Sequence, residues 1–215
     1  MNLHLRLSTV LLGLAALTVG CTNPPAAGAA GTSGGPTNWQ TEPGQSSINF
    51  VTTKAGQPGV AAVSEVQTFR TFSGQLNKQG QIEFRVDLSS VDTGVEIRDE
   101  RLRTMLFNVR ATPQATFSSQ IDPTVIRDLP ATGLRDLDLN GQLTLAGQSK
   151  PVSAKLRMGR MGADTVLVGT RNPIVVNAAD FGLRPGVEAL REVMGLGFLS
   201  ASVPVSFALL MREQR

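Results

Sequence analysis

Apolar and polar residues alternate along most of the chain from Trp39 onward. Residues 82–89 show the pattern most clearly, because apolar side chains take every second position and polar side chains take the others. A period of two predicts a β-strand with one face in an apolar interior and the other in water. The same alternation recurs in 47–50, 71–76, 115–121, 136–145 and 152–158, and further strands are predicted around 165–176 and 199–211. Strands of this kind, separated by turns, predict an antiparallel all-β fold.

One stretch between two of these strands follows a helical period instead. After a turn at residues 92–94, apolar residues recur at helical spacing through a highly charged sequence, at Val95, Leu102, Met105, Leu106 and Val109. This spacing predicts a short helix with one apolar stripe. Pro113 ends it, since the residue before a proline is driven away from helical geometry. A second short helix is predicted around residues 187–194.

About eight strands with few helices fit two architectures, a sandwich or a closed barrel. Closure is favoured because it removes the exposed edges of a long antiparallel sheet. The longest pair of strands is predicted to turn at residues 147–150, with Pro151 at the first position of the next strand. We therefore predict an eight-stranded antiparallel barrel with one or two short helices closing an end. The interior of such a barrel is either filled by its own side chains or holds one slender ligand.

The 215 residues suit one domain with extra segments at one end. Residues 1–20 have a cationic residue near the start and a short apolar run, as in a secretory signal peptide. Residues 21–38 consist largely of small residues, glycine and proline, which predicts a flexible linker. The predicted barrel domain is 39–215.

Cys21 is the only cysteine, and a small residue precedes it at the end of the predicted signal peptide. This arrangement resembles the lipobox at which bacterial lipoproteins are cleaved and acylated on the cysteine. The alternative is a soluble exported protein with a leftover thiol, which is a liability in an oxidising compartment. We expect an exported lipoprotein, anchored in a membrane through Cys21, in the periplasm or at the cell surface.

The inventory of reactive side chains excludes several kinds of chemistry. The only histidine, His4, lies in the predicted signal peptide, so neither a Ser-His-Asp triad nor a metal site built on histidine or cysteine is expected in the domain. Asp99 and Glu100 are adjacent on the predicted helix and cannot face each other, so a solvated charged face is favoured. A net charge of +3, no tyrosine and one tryptophan give no reason to expect nucleic acid. No catalytic residue, metal or required cofactor is predicted.

The apolar faces of the strands form the remaining candidate site, either as plain core or as the lining of a ligand pore. From composition alone, plain core is favoured, because most apolar strand faces simply pack. The candidates are Phe50, Phe72, Phe84, Val86, Phe117, Leu143 and Leu145 from the strands, with Met105 and Leu106 from the helix.

The order of short motifs along the chain also resembles a known family. The motifs are PGQSSINF at 43–50, FRTFSG at 69–74, VDTGVEIRDERLR at 91–103 followed by LF and PQATFSS, GQLTLAGQSKPV at 141–152, and NAADFGL at 177–183. Together they resemble the YceI-like family of bacterial lipid-binding proteins, in the family's order over most of residues 39–211.

This resemblance implies a lipocalin-like barrel whose pore holds an isoprenoid lipid, either a polyprenyl chain or an isoprenoid quinone, without catalysis. The candidate apolar residues would then line the pore, together with Phe181 of the NAADFGL segment. Arg98 and Asp99 match the family's R-D, which we interpret as fixing the helix across one end of the barrel. A homodimer is left open.

The alternatives to lipid binding are an envelope interaction module with a self-filled barrel, an anion site at the arginines of RDERLR, and an enzyme acting through carboxylates such as Asp92, Asp99 and Asp180.

Overall fold

The computed structural model describes residues 38–57 and 59–214. The predicted signal peptide, Cys21 and most of the predicted linker lie outside these residues. The described residues form thirteen strands: β1 (Asn38–Thr41), β2 (Ser47–Ala55), β3 (Val63–Phe69), β4 (Phe72–Leu76), β5 (Gln81–Asp87), β6 (Val91–Asp92), β7 (Gln114–Gln120), β8 (Arg135–Leu145), β9 (Gln148–Arg160), β10 (Thr165–Thr170), β11 (Ile174–Asn177), β12 (Phe198–Leu199) and β13 (Ser202–Gln214).

The helical segments are short. The α-helices are α1 (Glu96–Arg101), α2 (Thr124–Arg127) and α3 (Arg184–Val193), and a π-helical turn at Leu102–Leu106 directly follows α1. Single 3-10 turns occupy Pro43–Gln45, Leu88–Ser90 and Ala178–Phe181. Within the described residues, no helix is long and apolar enough to cross a membrane.

Eight antiparallel strands close into a ring. Their order is β1, β4, β5, β7, β8, β9, β10 and β13, and β13 pairs back with β1 through the register Thr41↔Met211. Each of these eight strands is paired with a strand on either side, so none of them is an edge strand of the ring. The predicted all-β, eight-stranded antiparallel barrel is confirmed.

The barrel wall extends past this ring at one end. β2 continues beyond β1 and pairs with β13, β3 pairs with β2, and the two-residue strands β12 and β6 attach to β2 and β3. On the other side of β13, β11 continues beyond β10. The wall is therefore taller on the side built by β2, β3 and β13.

Different helices cover the two ends of the barrel. At one end, Ile126 of α2 and Leu129, just after the helix, belong to the same buried apolar cluster as Trp39 and Met158. The carbonyl oxygen of Ile126 also accepts a hydrogen bond from the guanidinium of Arg160, at 2.9 Å. At the other end, a second apolar cluster joins the π-helical turn and α3 to the strands, through Leu102, Phe107, Leu183 and Leu190 packed with Phe50, Leu88, Val91, Leu145 and Phe181.

The hairpin of β8 and β9 turns earlier than predicted. The two connecting residues are Ala146 and Gly147, with φ of 50° and 77°. Consecutive positive φ values characterise the type I′ turns that suit two-residue hairpins. Pro151 therefore lies inside β9, opposite Gln142, and does not begin the strand. It is tolerated because β10 pairs only with residues 156–160 of β9, which leaves β9 without a second neighbour at Pro151.

Replacing Gly147 by alanine should lower the free energy of unfolding by about 1 kcal/mol, because a Cβ atom is strained at positive φ. No atom lies within 4 Å of the added Cβ, so backbone strain is the only expected cost. Gly44→Ala is the matched control, since that glycine is equally uncrowded and has no positive φ. Urea unfolding of the two variants would test this, and equal midpoints would contradict the turn geometry.

Candidate functional site

A cavity of about 340 Å³ runs inside the barrel. All eight strands of the ring contribute to its lining, and most of the lining side chains are apolar. The cavity follows from the alternation, because every second residue of each strand points inward and the inward residues do not fill the interior. The volume lies within the usual range for small-molecule sites in proteins, about 300 to 1,000 Å³.

Seven of the ten predicted pore residues line this cavity: Phe50, Phe84, Val86, Leu106, Phe117, Leu143 and Leu145. Phe72 and Phe181 are buried but are not among the lining residues. Phe72 packs in the core, with its ring centroid 5.9 Å from that of Phe84. Phe181 lies in the apolar cluster beside α3. Contact of any of these residues with a ligand stays a prediction.

Met105 does not line the cavity, contrary to the position expected from an unbroken helix, and it is 36% exposed. The cause is the π-helical turn, in which the N–H of Phe107 donates to the carbonyl of Leu102 at 2.9 Å. A hydrogen bond spanning five residues shifts the helical phase that follows it. Phe107 enters the interior instead, with its ring centroid 6.1 Å from that of Phe69.

Three aromatic lining residues were missed by the sequence analysis: Phe69, Phe107 and Phe207. Phe207 lies within the predicted strand 199–211, where its alternation with Ser206 and Ala208 was a usable signal. Phe69 and Phe72 are three residues apart and so fall on opposite faces of one continuous strand. Both point inward because β3 ends at Phe69 and β4 begins at Phe72. Phe69 stacks on Phe50 with a centroid distance of 5.1 Å.

Three charged side chains that line the cavity, Lys54, Glu65 and Arg98, lie together, and we call them the mouth cluster because they are partly exposed to solvent. Lys54 Nζ lies 2.9 Å from Glu65 Oε2, and Arg98 Nη1 lies 2.8 Å from the same oxygen. Two cations and one anion leave the mouth with a formal charge of +1.

Arg98 ties α1 to the barrel wall, because its partner Glu65 belongs to β3. Asp99, its neighbour, is only 8% exposed, so the predicted solvated face is wrong at this position. One carboxylate oxygen of Asp99 accepts hydrogen bonds from the backbone N–H of Thr93 at 2.8 Å and from its hydroxyl at 2.6 Å. The interpretation of Arg98 and Asp99 as residues that hold the helix in place agrees with these contacts.

Two of the three arginines of RDERLR have separate partners. Arg98 binds Glu65 at the mouth, whereas Arg103 donates to the carbonyl of Ser89 at 2.8 Å and lies 3.5 Å from Glu100. Within the described part of the chain, no group of three or more histidine, cysteine, aspartate or glutamate side chains could hold a metal ion.

The hydrogen bond from Lys54, helped by the charge of Arg98, holds the pKa of Glu65 below its ordinary value near 4.5. A lowered pKa in the folded state means that the ion pairs stabilise the fold above the unfolded pKa and lose this effect as the pH falls through the folded value. Glu65→Gln should therefore unfold more easily than the wild type at pH 7, by less than about 1 kcal/mol, since the group is partly exposed.

The difference between wild type and Glu65→Gln should shrink as the pH falls from 5 to 3 in urea unfolding. Glu96→Gln is the control, since Glu96 is an exposed carboxylate on the helix that carries Arg98. A difference for Glu65→Gln that does not change with pH would contradict the assignment.

Comparison with known proteins gives several matches. A UPF0312 protein of Enterobacter sp. (strain 638) is 33% identical over 104 residues, which is 45% of this chain and 50% of that protein. Protein YceI of Salmonella newport (strain SL254) matches with the same identity and coverage. The chain thus spans about half the length of the curated relatives it matches.

Two solved structures have the same fold. A polyisoprenoid-binding domain from Saccharophagus degradans, implicated in plant cell wall breakdown, superposes with a TM-score of 0.77 at 28% identity, covering 82% of this chain and 98% of that one. BcnA of Burkholderia cenocepacia superposes with a TM-score of 0.59 at 20% identity, covering 79% and 98%, and shows likeness of fold alone.

The family model described as YceI-like domain matches residues 39–210. That match contains all eight strands that close the ring, apart from the first residue of β1 and the end of β13. On the strength of this match, the chain belongs to the YceI-like family.

Proposed function

We propose that this protein binds the chain of an isoprenoid lipid inside its barrel and acts as a carrier or store without catalysing a reaction. The observation that carries this proposal is the apolar cavity within a closed ring of eight strands. A barrel filled by its own side chains, as in an interaction module, has no need of such a cavity.

The energetics favour a long apolar chain as the ligand. Each buried CH₂ group contributes about 0.8 kcal/mol, so the roughly 20 carbons of four isoprene units contribute about 16 kcal/mol. Association costs an estimated 4 to 15 kcal/mol in lost freedom of motion. A tail of a few isoprene units can therefore bind tightly through apolar contact alone.

The relatives give independent support. The Saccharophagus degradans domain is described as polyisoprenoid-binding, and 98% of that domain superposes on this chain. Membership of the YceI-like family is consistent with lipid binding.

We also propose that the protein works in the bacterial envelope, exported and anchored in a membrane by a lipid on Cys21. This part rests on the sequence of residues 1–38 alone. A linker of this composition would let the barrel reach lipids at some distance from the anchor.

The experiment that tests the lipid-binding proposal is native mass spectrometry of protein purified from its own host without detergent, with organic extraction of the bound material. We expect a co-purifying polyprenyl lipid or isoprenoid quinone, and we expect the emptied barrel to take up a C20 prenol. The prenol should be recovered unchanged after incubation, as a carrier requires. A protein that is empty as isolated and takes up no prenol would refute the proposal.

A further inference from the structure

We infer that Gln67 forms a head-group subsite inside the mouth of the cavity and recognises a free hydroxyl group on the bound lipid. This inference rests on the proposed function, since it concerns the polar end of the same ligand. The hydroxyl has two chemical sources among isoprenoid lipids, an aliphatic prenol and a prenylated phenol.

Gln67 is buried but incompletely hydrogen-bonded. The residue is 3% exposed, and its side-chain oxygen has no hydrogen-bond partner among the described residues. Its side-chain nitrogen makes only one long contact, 3.4 Å to the hydroxyl of Thr52. A buried polar group left without a partner costs about 1 to 3 kcal/mol, and native proteins contain few of them. A cost of this kind is explained if a ligand supplies the missing partner.

The position of Gln67 suits the end group of a lipid. Gln67 lines the cavity and follows Glu65 by two residues on β3, so both point to the interior. Its register partner on β2 is Phe50, whose ring stacks on that of Phe69. Gln67 therefore marks the boundary between the charged mouth cluster and the aromatic wall of the cavity. A lipid with its tail in the barrel would place its polar end at this boundary.

The chemistry of an amide favours a hydroxyl over other head groups. The side-chain oxygen of Gln67 can only accept a hydrogen bond, and its nitrogen can only donate one. The amide can present either its oxygen or its nitrogen to a ligand, depending on how the side chain is turned. A hydroxyl satisfies both orientations, because it donates and accepts, whereas a carbonyl or an ether can only accept.

A phosphate head group fits this position less well. The two cations among the lining residues, Lys54 and Arg98, already share one oxygen of Glu65. A dianion seated at Gln67 would lose most of its hydration beside the rings of Phe50 and Phe69, and such desolvation is costly for a charged group. Weak binding of C20 prenyl phosphate relative to the alcohol is therefore a further expected outcome.

The test compares pairs of ligands in which a methyl group replaces the hydroxyl proton. The pairs are a C20 prenol with its methyl ether, and a C20-prenylated phenol with its methyl ether. Dissociation constants are measured by displacement of a fluorescent fatty-chain probe from the emptied full-length protein. We expect the wild type to bind at least one alcohol about five- to tenfold more tightly than its ether, as one net hydrogen bond predicts. The pair that shows the difference identifies the source of the hydroxyl.

The Gln67→Leu variant should show no preference for an alcohol over its ether. It should bind the ethers at least as tightly as the wild type does. Gln67→Met serves if the leucine variant folds poorly, and Gln142→Leu is the matched control on the exposed face of β8. The apo form of Gln67→Leu should also unfold at a higher temperature, because the unpaired amide is gone. Equal preferences in wild type and Gln67→Leu, or no preference in the wild type, would overturn the inference. Failure of all four ligands to displace the probe would instead count against the proposed function.

Discussion

Ala115→Trp is expected to weaken binding of a C20 prenol by about 100-fold. Ala115 lies on β7, lines the cavity, and packs against both of the main apolar clusters of the barrel. An indole at this position would project into the cavity between its two ends and exclude part of the tail. Loss of about four buried CH₂ groups corresponds to about 3 kcal/mol, or roughly two powers of ten in the dissociation constant.

The barrel itself should tolerate this substitution, because the ring enters open space. We expect the free energy of unfolding to fall by no more than about 1 to 3 kcal/mol, the usual cost of adding side-chain volume to an interior. Ser118→Trp is the matched control, since it places the same side chain on the same strand at an exposed position. Displacement of the fatty-chain probe by the prenol gives the affinities. If Ala115→Trp binds the prenol as tightly as Ser118→Trp does, the tail does not occupy this part of the barrel.

Asp99→Ala is expected to lower the free energy of unfolding by about 2 to 4 kcal/mol, the largest stability effect that we predict. The substitution removes two charge-assisted hydrogen bonds to Thr93, at 2.8 and 2.6 Å, and leaves a backbone N–H without its partner. Hydrogen bonds to charged groups contribute about 1.5 to 3 kcal/mol, and an unpaired buried donor adds to the loss.

Glu100→Ala separates this effect from a simple loss of negative charge on the helix. The side chain of Glu100 is 57% exposed and lies next to Asp99, so its removal should change stability by no more than about 0.5 kcal/mol. Asp99→Asn should fall between the two, because the amide keeps one acceptor oxygen. Urea unfolding measures all three variants. Equal stability of Asp99→Ala and Glu100→Ala would show that Asp99 does not anchor α1.

The two experiments concern different parts of one mechanism. Ala115 tests whether the apolar cavity holds the tail, and Asp99 tests what fixes α1 beside the opening. Loosening α1 should also release the contact of Arg98 with Glu65, which lies at the mouth. We therefore expect Asp99→Ala to release the prenol faster than the wild type does, even under conditions where it stays folded.

Much of the fold could be predicted because the residues of a strand alternate between a buried face and an exposed face, and the sequence shows this as alternating apolar and polar residues. Ile82, Phe84 and Val86 lie on β5, and all three line the cavity as their period of two indicated. Closure also followed from a general argument about sheet edges. Identification of the family depended on short motifs in a fixed order, and the match over residues 39–210 confirmed it.

Other features could not be predicted, because they depend on how separate elements meet. A helical period assumes an unbroken helix, so the π-helical turn that moves Met105 outward and Phe107 inward was not apparent. Asp99 carries the charge of a surface residue, and only its partner Thr93 explains its burial. The start of β9 was also not predicted correctly, because the positive φ values of Ala146 and Gly147 place the turn at these two residues.

The sequence by itself determined the strands, their inward faces and the family, because period and motif are properties of neighbouring residues. Only the tertiary structure decided that those faces enclose a cavity and that Gln67 lies within it without a full set of hydrogen bonds. The physical reason is that empty volume and hydrogen-bond satisfaction depend on atoms brought together from distant parts of the chain. Alternation fixes which side chains point inward, and the diameter of the closed ring decides whether they fill the space.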